Sequence, residues 1–237
     1  MIGTTIGHSI MWMLLIFLVM PIVASYVISW LTMKSQQHLM TRFSQHALFI
    51  FSWLGIIVHE LAHAVMAMLF GHHIDQVVLL TNPFKQDEAQ RLGYVKHSWQ
   101  STNLYQRLGN FFIGLAPMLV ITLLTGVITQ VLWSPLFQIQ TLGWHVFISV
   151  PVWKIVVWLC LIFNLNLGMN ISSADWQNVQ QGLMLYIVCL IIVGLIVGIT
   201  ISDPVLIWDV LGFWLTMVWL INLVISLIIT LMTRILV

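Results

Sequence analysis

Three polar side chains with the spacing of a metal site lie inside a strongly apolar stretch. His59, Glu60 and His63 fall within residues 47–70, and nearly all the remaining residues of this stretch are apolar. A helix places residues four apart on one face, so the two histidines can present two imidazole nitrogens to one metal ion. The glutamate between them can then act as general base toward a water held by that metal. The pattern predicts metal-assisted hydrolysis.

The cost of burying these groups argues for a function. Insertion scales assign a charged side chain at the centre of a membrane helix roughly 3 kcal/mol, so such residues are rare there unless they serve a purpose. The alternative is that His59, Glu60 and His63 only form hydrogen bonds to neighbouring helices. In that case their metalloprotease spacing would be a coincidence, and we therefore predict a metal site.

The composition is that of an integral membrane protein. Hydrophobic residues make up 60% of the 237 residues and charged residues only 6%, whereas soluble domains contain about 25% charged residues. The net charge of +1 provides no basic surface, so no nucleic-acid partner is expected. Cys160 and Cys189 lie in apolar runs and are interpreted as small core residues, not as a disulfide or a metal pair.

Six apolar segments are long enough to cross the roughly 30 Å of hydrocarbon in a lipid bilayer. They are approximately 9–31, 47–70, 108–133, 147–167, 176–200 and 210–235. The fourth is the weakest, because it contains Lys154, which must extend to the interface, and ends in Asn164 and Asn166. We therefore expect an all-α polytopic membrane protein with about six transmembrane helices, forming one domain over residues 1–237.

The longest connection, residues 71–107, carries many of the polar residues. Its two extended pieces, 74–81 and 93–98, are separated by a turn at 82–83 and a charged run at 85–91. This pattern predicts a small β-hairpin after the helix that carries the HExxH sequence of residues 59–63. We expect this hairpin to lie against the membrane surface. The loop also holds three histidines that we interpret as interfacial or solvated side chains, not as ligands: His72, His73 and His97.

Small residues in the third apolar segment indicate close helix packing. Gly109 and Gly114 lie near the start of this segment, and small side chains let two helices approach closely in lipid. We expect both glycines to pack against the helix that carries His59 and His63.

The distribution of basic residues favours one orientation. With the N-terminus in the cytoplasm, five basic residues lie on the inside: Lys85, Arg91, Lys96, Arg107 and Arg234. Three lie on the outside: Lys34, Arg42 and Lys154. The small excess inside favours this orientation and makes 71–107 a cytoplasmic loop.

A catalytic zinc usually has three protein ligands and one open position, so a third ligand is needed. The second and fourth apolar segments both run toward the face that carries loop 71–107, and this places Asp175 on the same face. Asp203 and Asp209 fall on the opposite face. Asp175 is therefore the predicted third ligand.

The residues that precede Asp175 form a polar stretch over 164–174 without a charged residue. It contains three asparagines: Asn164, Asn166 and Asn170. The stretch can enter the protein as non-helical backbone whose peptide groups are satisfied by the amide side chains. Alternatively, Ser172 or Ser173 caps the fifth helix and Asp175 sits in its first turn. Both interpretations are compatible, because a carboxylate at a helix N-terminus can still bind metal.

Together these features resemble the site-2 protease family of intramembrane zinc metalloproteases. The resemblance covers approximately residues 47–185: an HExxH helix in the membrane, a strand-like loop, a core span with glycine and proline at 114–117, and an Asn-rich segment ending in Asp175. The chain departs from the family pattern in the last segment, which lacks the family's proline and has Trp176 where the family has glycine.

The resemblance implies a zinc metalloendopeptidase with one Zn²⁺ per chain. In this interpretation the metal ligands are His59, His63 and Asp175, and Glu60 is the catalytic base. The substrate backbone or the oxyanion would be contacted by Asn164, Asn166 or Asn170. The substrate would be a single-pass membrane protein, cut in or near its transmembrane segment. The site would face the cytoplasm of a bacterial-type cytoplasmic membrane.

Two alternatives use the same residues differently. A membrane transporter could bind a metal ion or a proton at the His/Glu site, although the sequence shows no internal repeat and a single acid in this span. A former protease could bind membrane partners as a scaffold without cutting them. Retention of Glu60 favours the protease, since a scaffold does not need a general base.

Overall fold

The protein is almost entirely helical, and a computed structural model describes residues 2–81, 92–201 and 205–235. Its α-helices are α1 (Ile2–Leu14), α2 (Met20–Phe43), α3 (Gln45–Leu69), α4 (Leu104–Leu132), α5 (Ile139–Leu142), α6 (Val152–Asn166), α7 (Ser173–Thr200) and α8 (Val205–Ile235). A π-helical turn, Leu15–Val19, joins α1 to α2, and the 3₁₀ turns Ser134–Gln138 and Gly143–Phe147 flank α5. The strands are β1 (His73–Val78) and β2 (Tyr94–Ser98).

Five helices in the described part of the chain are long and apolar enough to cross a membrane. They are Thr5–Phe43, His46–Leu69, Leu104–Leu132, Ser173–Thr200 and Trp208–Ile235. The first of these combines most of α1 with the π-helical turn and α2. The predicted fourth segment is represented by α6, which has only 15 residues and is therefore about 22 Å long. The prediction of an all-α polytopic membrane protein is confirmed, and its weakest span is the short helix.

Helix α4 lies between the helices that carry the predicted metal ligands. It packs against α3 on one side and against α7 on the other, while α1 covers α7 and α2 packs with α8. Gly109 lies against Phe70 at the end of α3, as predicted, but Gly114 lies against the backbone of α7 at Asp175 and Val179. The predicted contact of Gly114 with α3 is wrong, because this glycine lets α4 approach the first turn of α7 instead.

The predicted hairpin is confirmed. β1 and β2 pair in antiparallel orientation, with His73 opposite Ser98 and Val78 opposite Tyr94. β1 begins one residue before the predicted 74–81 and ends at Val78, and its register with β2 is irregular between Ile74 and Gln76. The predicted turn at 82–83 and the charged run at 85–91 lie outside the described residues.

The hairpin lies alongside α3, whereas the sequence predicted a position against the membrane surface. Leu80 lines a small apolar groove with Phe49 and Trp53, in the first third of α3. Leu92 packs against the hydrophobic cluster that includes Leu48. Since β1 begins just beyond the opposite end of α3, the chain turns back at Gly71 and runs along much of the length of the spanning helix. Apolar side chains at the far end of the hairpin make this position favourable.

Candidate metal centre

Helices α3 and α7 bring two histidines and a carboxylate together. One potential ligand atom from each of His59, His63 and Asp175 lies within 4.8 Å of the other two. The two Nε2 atoms are 3.1 Å apart, and Nε2 of His63 is 3.4 Å from Oδ1 of Asp175. The three residues expose only 9%, 6% and 8% of their surface. This buried group could hold a metal ion, at the residues that the sequence predicted.

Both histidine rings are oriented by backbone carbonyl groups. His59 Nδ1–H donates to the carbonyl of Gly168 at 2.8 Å, and His63 Nδ1–H donates to the carbonyl of Ile113 at 2.8 Å. A carbonyl can only accept, so these partners assign the proton of each neutral ring to Nδ1. The lone pairs therefore lie on the two Nε2 atoms, which face each other. Metal-binding histidines are commonly oriented in this way.

The carbonyl of Ile113 is available because of Pro117. In a regular helix this carbonyl would accept from the N–H four residues later, but residue 117 is proline, which has no N–H. Pro117 lies inside α4, and the freed carbonyl accepts from His63 instead. A helix-disrupting residue thus frees the carbonyl that orients a potential metal ligand.

Replacing Pro117 with alanine should weaken metal binding without destabilising the helix. The new N–H would compete for the Ile113 carbonyl, and losing a group that only orients a ligand typically lowers metal affinity roughly 10- to 100-fold. Alanine favours the helix more than proline does, so the thermal stability of the metal-free protein should be unchanged or higher. Metal titration and thermal unfolding of the two proteins would check this, and unchanged affinity would contradict the proposed role of the carbonyl.

The turn that carries the Gly168 carbonyl is held by the asparagines at the end of α6. Asn164 Oδ1 accepts from the backbone N–H groups of Leu54 and Gly55 at 3.0 and 3.1 Å. Asn166 donates to the carbonyl of Asn222 at 3.1 Å and accepts from the Ser226 hydroxyl at 2.8 Å. These side chains fix α6 to α3 and α8, so both predicted substrate contacts are engaged within the protein. Of the three predicted asparagines, only Asn170 lines the cavity described below.

The two oxygens of the Asp175 carboxylate have different partners. Its Oδ2 accepts from the backbone N–H of Ser172 at 2.8 Å, and the Ser172 hydroxyl accepts from the N–H of Asp175 at 3.2 Å. This capping box begins α7. The other oxygen, Oδ1, faces His63. The two interpretations of Asp175 from the sequence, helix capping and proximity to the histidines, are thus satisfied together.

A cavity of about 790 Å³ lies beside this group. Its lining includes residues 92–97, residues of the turn after α6 and of the start of α7, and Glu60. Alternate side chains of a strand point to opposite faces, so the four consecutive lining residues of β2, residues 94–97, indicate that β2 presents its edge to the cavity. In the described residues the sheet has only two strands, so no strand of this part of the chain pairs with this edge of β2.

Compared with known proteins, the chain matches no family model, no curated protein and no solved structure.

Among the loop histidines, His73 is exposed and lies 3.8 Å from Asp75, outside the metal group. His72 is buried beneath the hairpin, and its Nδ1 is 3.0 Å from Nδ1 of His97. Burial lowers the pKa of His72. Burial and the charges that His72 and His63 would carry lower the pKa of His97 to about 4, against the opposing effect of Asp75 and Asp175. The described metal group contains none of the three. The sequence predicted interfacial or solvated side chains, and of these only His73 is exposed, whereas His72 is buried and His97 half-buried.

Two polar residues of α7 that line the cavity were missed from the sequence. Asn178 and Gln181 follow Asp175 at intervals of three residues, which places them along one side of the helix. The signal was present, because they are amides at the start of an otherwise apolar spanning helix. Gly93 was also missed; its α-carbon lies so close to Glu60 that an added Cβ would be 2.7 Å from the Glu60 Cγ.

Proposed function

We propose that this protein is an intramembrane zinc metalloprotease of the kind found in the site-2 protease family. It would hydrolyse a peptide bond in or next to the transmembrane segment of a single-pass membrane protein. One observation carries the proposal: His59, His63 and Asp175 converge beside Glu60 on a cavity that has a strand edge as one wall. The basic residues of the sequence favour a site that faces the cytoplasm of a bacterial-type membrane.

The donor set fits zinc. Two imidazole nitrogens and one carboxylate oxygen are ligands that zinc commonly takes, and three protein ligands leave one position open, as in catalytic zinc sites. The hydrogen bonds to the Gly168 and Ile113 carbonyls keep both Nε2 lone pairs available for a cation. His59, His63 and Asp175 would hold one zinc ion per chain. When bound, zinc would polarise the scissile carbonyl and bring the pKa of a water close to about 7.

Glu60 would move the protons of the reaction. Its position directly after His59 and its place in the cavity wall suit a carboxylate that takes a proton from the attacking water. The same carboxyl group would then give this proton to the nitrogen of the leaving amine, so that one residue acts first as base and then as acid. Asn170, the predicted asparagine that lines the cavity, is available to bind the substrate backbone or the oxyanion.

The β2 edge would hold the substrate in an extended form. A peptide bond inside a helix is shielded by the helix itself, so a transmembrane substrate must unwind locally before water can attack. Addition of the unwound segment to an open sheet edge satisfies its backbone hydrogen bonds. Residues 94–97 of β2 line the cavity with Glu60, whereas β1 contributes Asp75, and this favours the β2 edge as the one that would hold the substrate.

Proline substitutions in β2 should reduce cleavage and leave zinc bound. Backbone N–H groups of alternate strand residues point to opposite edges, so proline at either Val95 or Lys96 removes one donor from the cavity edge. Only one of these two residues has its N–H on the cavity edge. Proline at that residue should lower the cleavage rate about tenfold, the value of one hydrogen bond, and about one zinc per chain should be retained. Cleavage rate and zinc content of the purified variants would be measured together.

The opposite strand offers a matched control. Val77 pairs with Val95, and Gln76 pairs with Lys96, so proline at the paired position disturbs the same rung from the other edge. If proline at Val95 lowers cleavage, the control is proline at Val77; if proline at Lys96 does, the control is proline at Gln76. We expect the control to leave the cleavage rate within about threefold of wild type. Equal losses from both strands would mean that proline only unfolds the hairpin.

The proposal is tested by mapping new N-termini in membranes. Membranes from cells that express the wild type and the His59→Ala variant would be compared by mass spectrometry of protein N-termini. We expect the wild type to produce N-termini within or next to transmembrane segments that the variant does not produce. Zinc content of the two purified proteins gives the second measurement, about one per chain against none. Bound zinc without new N-termini would favour the metal-binding alternatives over the protease.

A further inference from the structure

A chain of two imidazole rings connects the base of the hairpin to the cavity. His72 Nε2–H donates to the backbone carbonyl of Gln106 at 2.9 Å, at the start of α4. The other nitrogen of this ring, Nδ1, lies 3.0 Å from Nδ1 of His97 on β2. His72 exposes only 6% of its surface, and the ring of Trp99 stacks nearby with a centroid distance of 6.1 Å. The ring of His97 is thereby fixed from one side.

This chain determines which nitrogen of His97 carries the proton. The Gln106 carbonyl can only accept, so the neutral His72 ring has its proton on Nε2 and a lone pair on Nδ1. His97 must then donate through Nδ1–H, which leaves the lone pair of His97 on Nε2. The low pKa of His97, about 4, keeps the ring neutral at pH 7.

The free nitrogen of His97 belongs to a ring in the wall of the catalytic cavity. His97 lines the cavity together with Glu60, His63 and Asp175, and the charges of His63 and Asp175 act on it. Within the described residues its Nε2 has no hydrogen-bond partner. A half-buried acceptor without a partner, on the strand that borders the substrate groove, is matched by the backbone N–H of an extended peptide.

We propose that His97 is a substrate-binding residue whose Nε2 accepts a hydrogen bond from a backbone N–H of the peptide held along β2. The inference rests on the proposed function of the site and adds one specific contact to it. An acceptor repels the negative charge of an oxyanion, so this contact serves binding and not charge stabilisation in the transition state. Loss of the contact should therefore raise KM and leave kcat nearly unchanged. A substrate with proline at the contacted position should be cleaved poorly, because proline lacks the N–H.

Two substitutions separate the functions of the two ring nitrogens. In His97→Asn the side-chain amide reaches about as far as Nδ1 and can still donate to His72, but nothing replaces Nε2. In His97→Gln the amide reaches about as far as Nε2, so its oxygen can accept from the peptide. We expect His97→Asn to weaken peptide binding and His97→Gln to restore it to within about threefold. His73→Asn is the matched control, since His73 is exposed and outside the cavity.

The probe is a peptide hydroxamate, acetyl-Leu-Val-Leu-NHOH, whose hydroxamate group chelates zinc, compared with analogues that carry one N-methyl group on a backbone amide. Binding to the zinc-loaded, detergent-purified protein is measured by calorimetry. One N-methyl analogue should bind the wild type about tenfold more weakly, the value of one hydrogen bond. This penalty should disappear in His97→Asn and persist in His97→Gln and His73→Asn. The effects of peptide N-methylation and of His97→Asn on the binding free energy should therefore not add, and this non-additivity isolates the contact between the two groups.

The outcomes are distinguishable from failure of the proposed hydrolase. Equal N-methyl penalties in the wild type and His97→Asn would overturn the inference, even if the wild type cleaves membrane proteins. Loss of zinc from His97→Asn would also overturn it and make His97 a metal ligand. The expected coupling in a protein that generates no new N-termini would support the peptide contact and reject hydrolysis.

Discussion

Replacing Glu60 with glutamine should lower the rate of peptide cleavage about a thousandfold and leave the metal in place. One general acid–base residue typically contributes 10²- to 10⁴-fold to a rate, and the glutamine amide cannot take a proton from water at neutral pH. Glutamine has nearly the shape of glutamate, so it fits the close contact with Gly93. Because His59, His63 and Asp175 are unchanged, zinc content should stay at about one per chain.

Asp75→Asn is the control for this experiment. Asp75 lines the same cavity and loses the same charge on substitution, but it is exposed and lies near His73, outside the metal group. We expect its cleavage rate to stay within about threefold of wild type. A similar loss in both variants would show that the negative charge of the cavity matters and not the proton transfer by Glu60.

The Glu60→Gln variant also helps to discriminate between the proposed protease and the alternatives. A scaffold that binds membrane partners would keep its cellular function in Glu60→Gln, because the partner-binding surfaces are unchanged. A transporter would show water access to the site from both sides of the membrane in a cysteine-accessibility scan. A protease should lose function in Glu60→Gln and keep zinc, whereas a scaffold should keep both; the accessibility scan then separates the protease from the transporter.

Local spacing made part of the site predictable. His59 and His63 share a helix face because they are four residues apart, and this relation holds wherever the helix packs. Asp175 required one further step, since the direction of each apolar segment assigns the loops to faces of the membrane. Both steps use only periodicity and topology, and the structure brings these three residues to within ligand distance of one another.

Features that depend on packing between distant segments were not predictable. The polar composition of loop 71–107 suggested a surface position, but Leu80 and Leu92 at the far end of the hairpin pack near the first third of α3. The asparagines at 164 and 166 carried the same signal as Asn170 in the sequence. Their partners, α3 and α8, are more than 50 residues away, and only the assembled bundle determines which of the three amides reaches the cavity.

Pro117 illustrates the same limit on a smaller scale. A proline in an apolar segment suggests a kink, and the four-residue offset shows that the carbonyl of Ile113 loses its helical partner. Nothing in the sequence shows that His63 lies opposite this carbonyl, 50 residues earlier in the chain. The close approach of α3 and α4, assisted by Gly109 against Phe70, completes the hydrogen bond.

Replacing Asp175 with asparagine should remove zinc but retain the fold. The asparagine oxygen can still accept from the Ser172 N–H that Oδ2 of Asp175 now binds, so the start of α7 is preserved. The negative charge and the ligand oxygen that face His63 are lost. Because removing a group that merely orients a ligand costs roughly 10- to 100-fold in metal affinity, removing the ligand itself should cost more than about 100-fold.

The reciprocal variant, Ser172→Ala, separates capping from metal binding. It removes the hydroxyl that accepts from the Asp175 N–H and keeps the carboxylate, so stability should fall by about 1 kcal/mol while zinc is retained. Thermal unfolding and zinc titration of both variants give two measurements with opposite expected patterns. Full zinc affinity in Asp175→Asn would move the third ligand to another residue. Loss of zinc in Ser172→Ala would mean that the capping box positions the carboxylate, so that helix initiation and metal binding depend on each other at this residue.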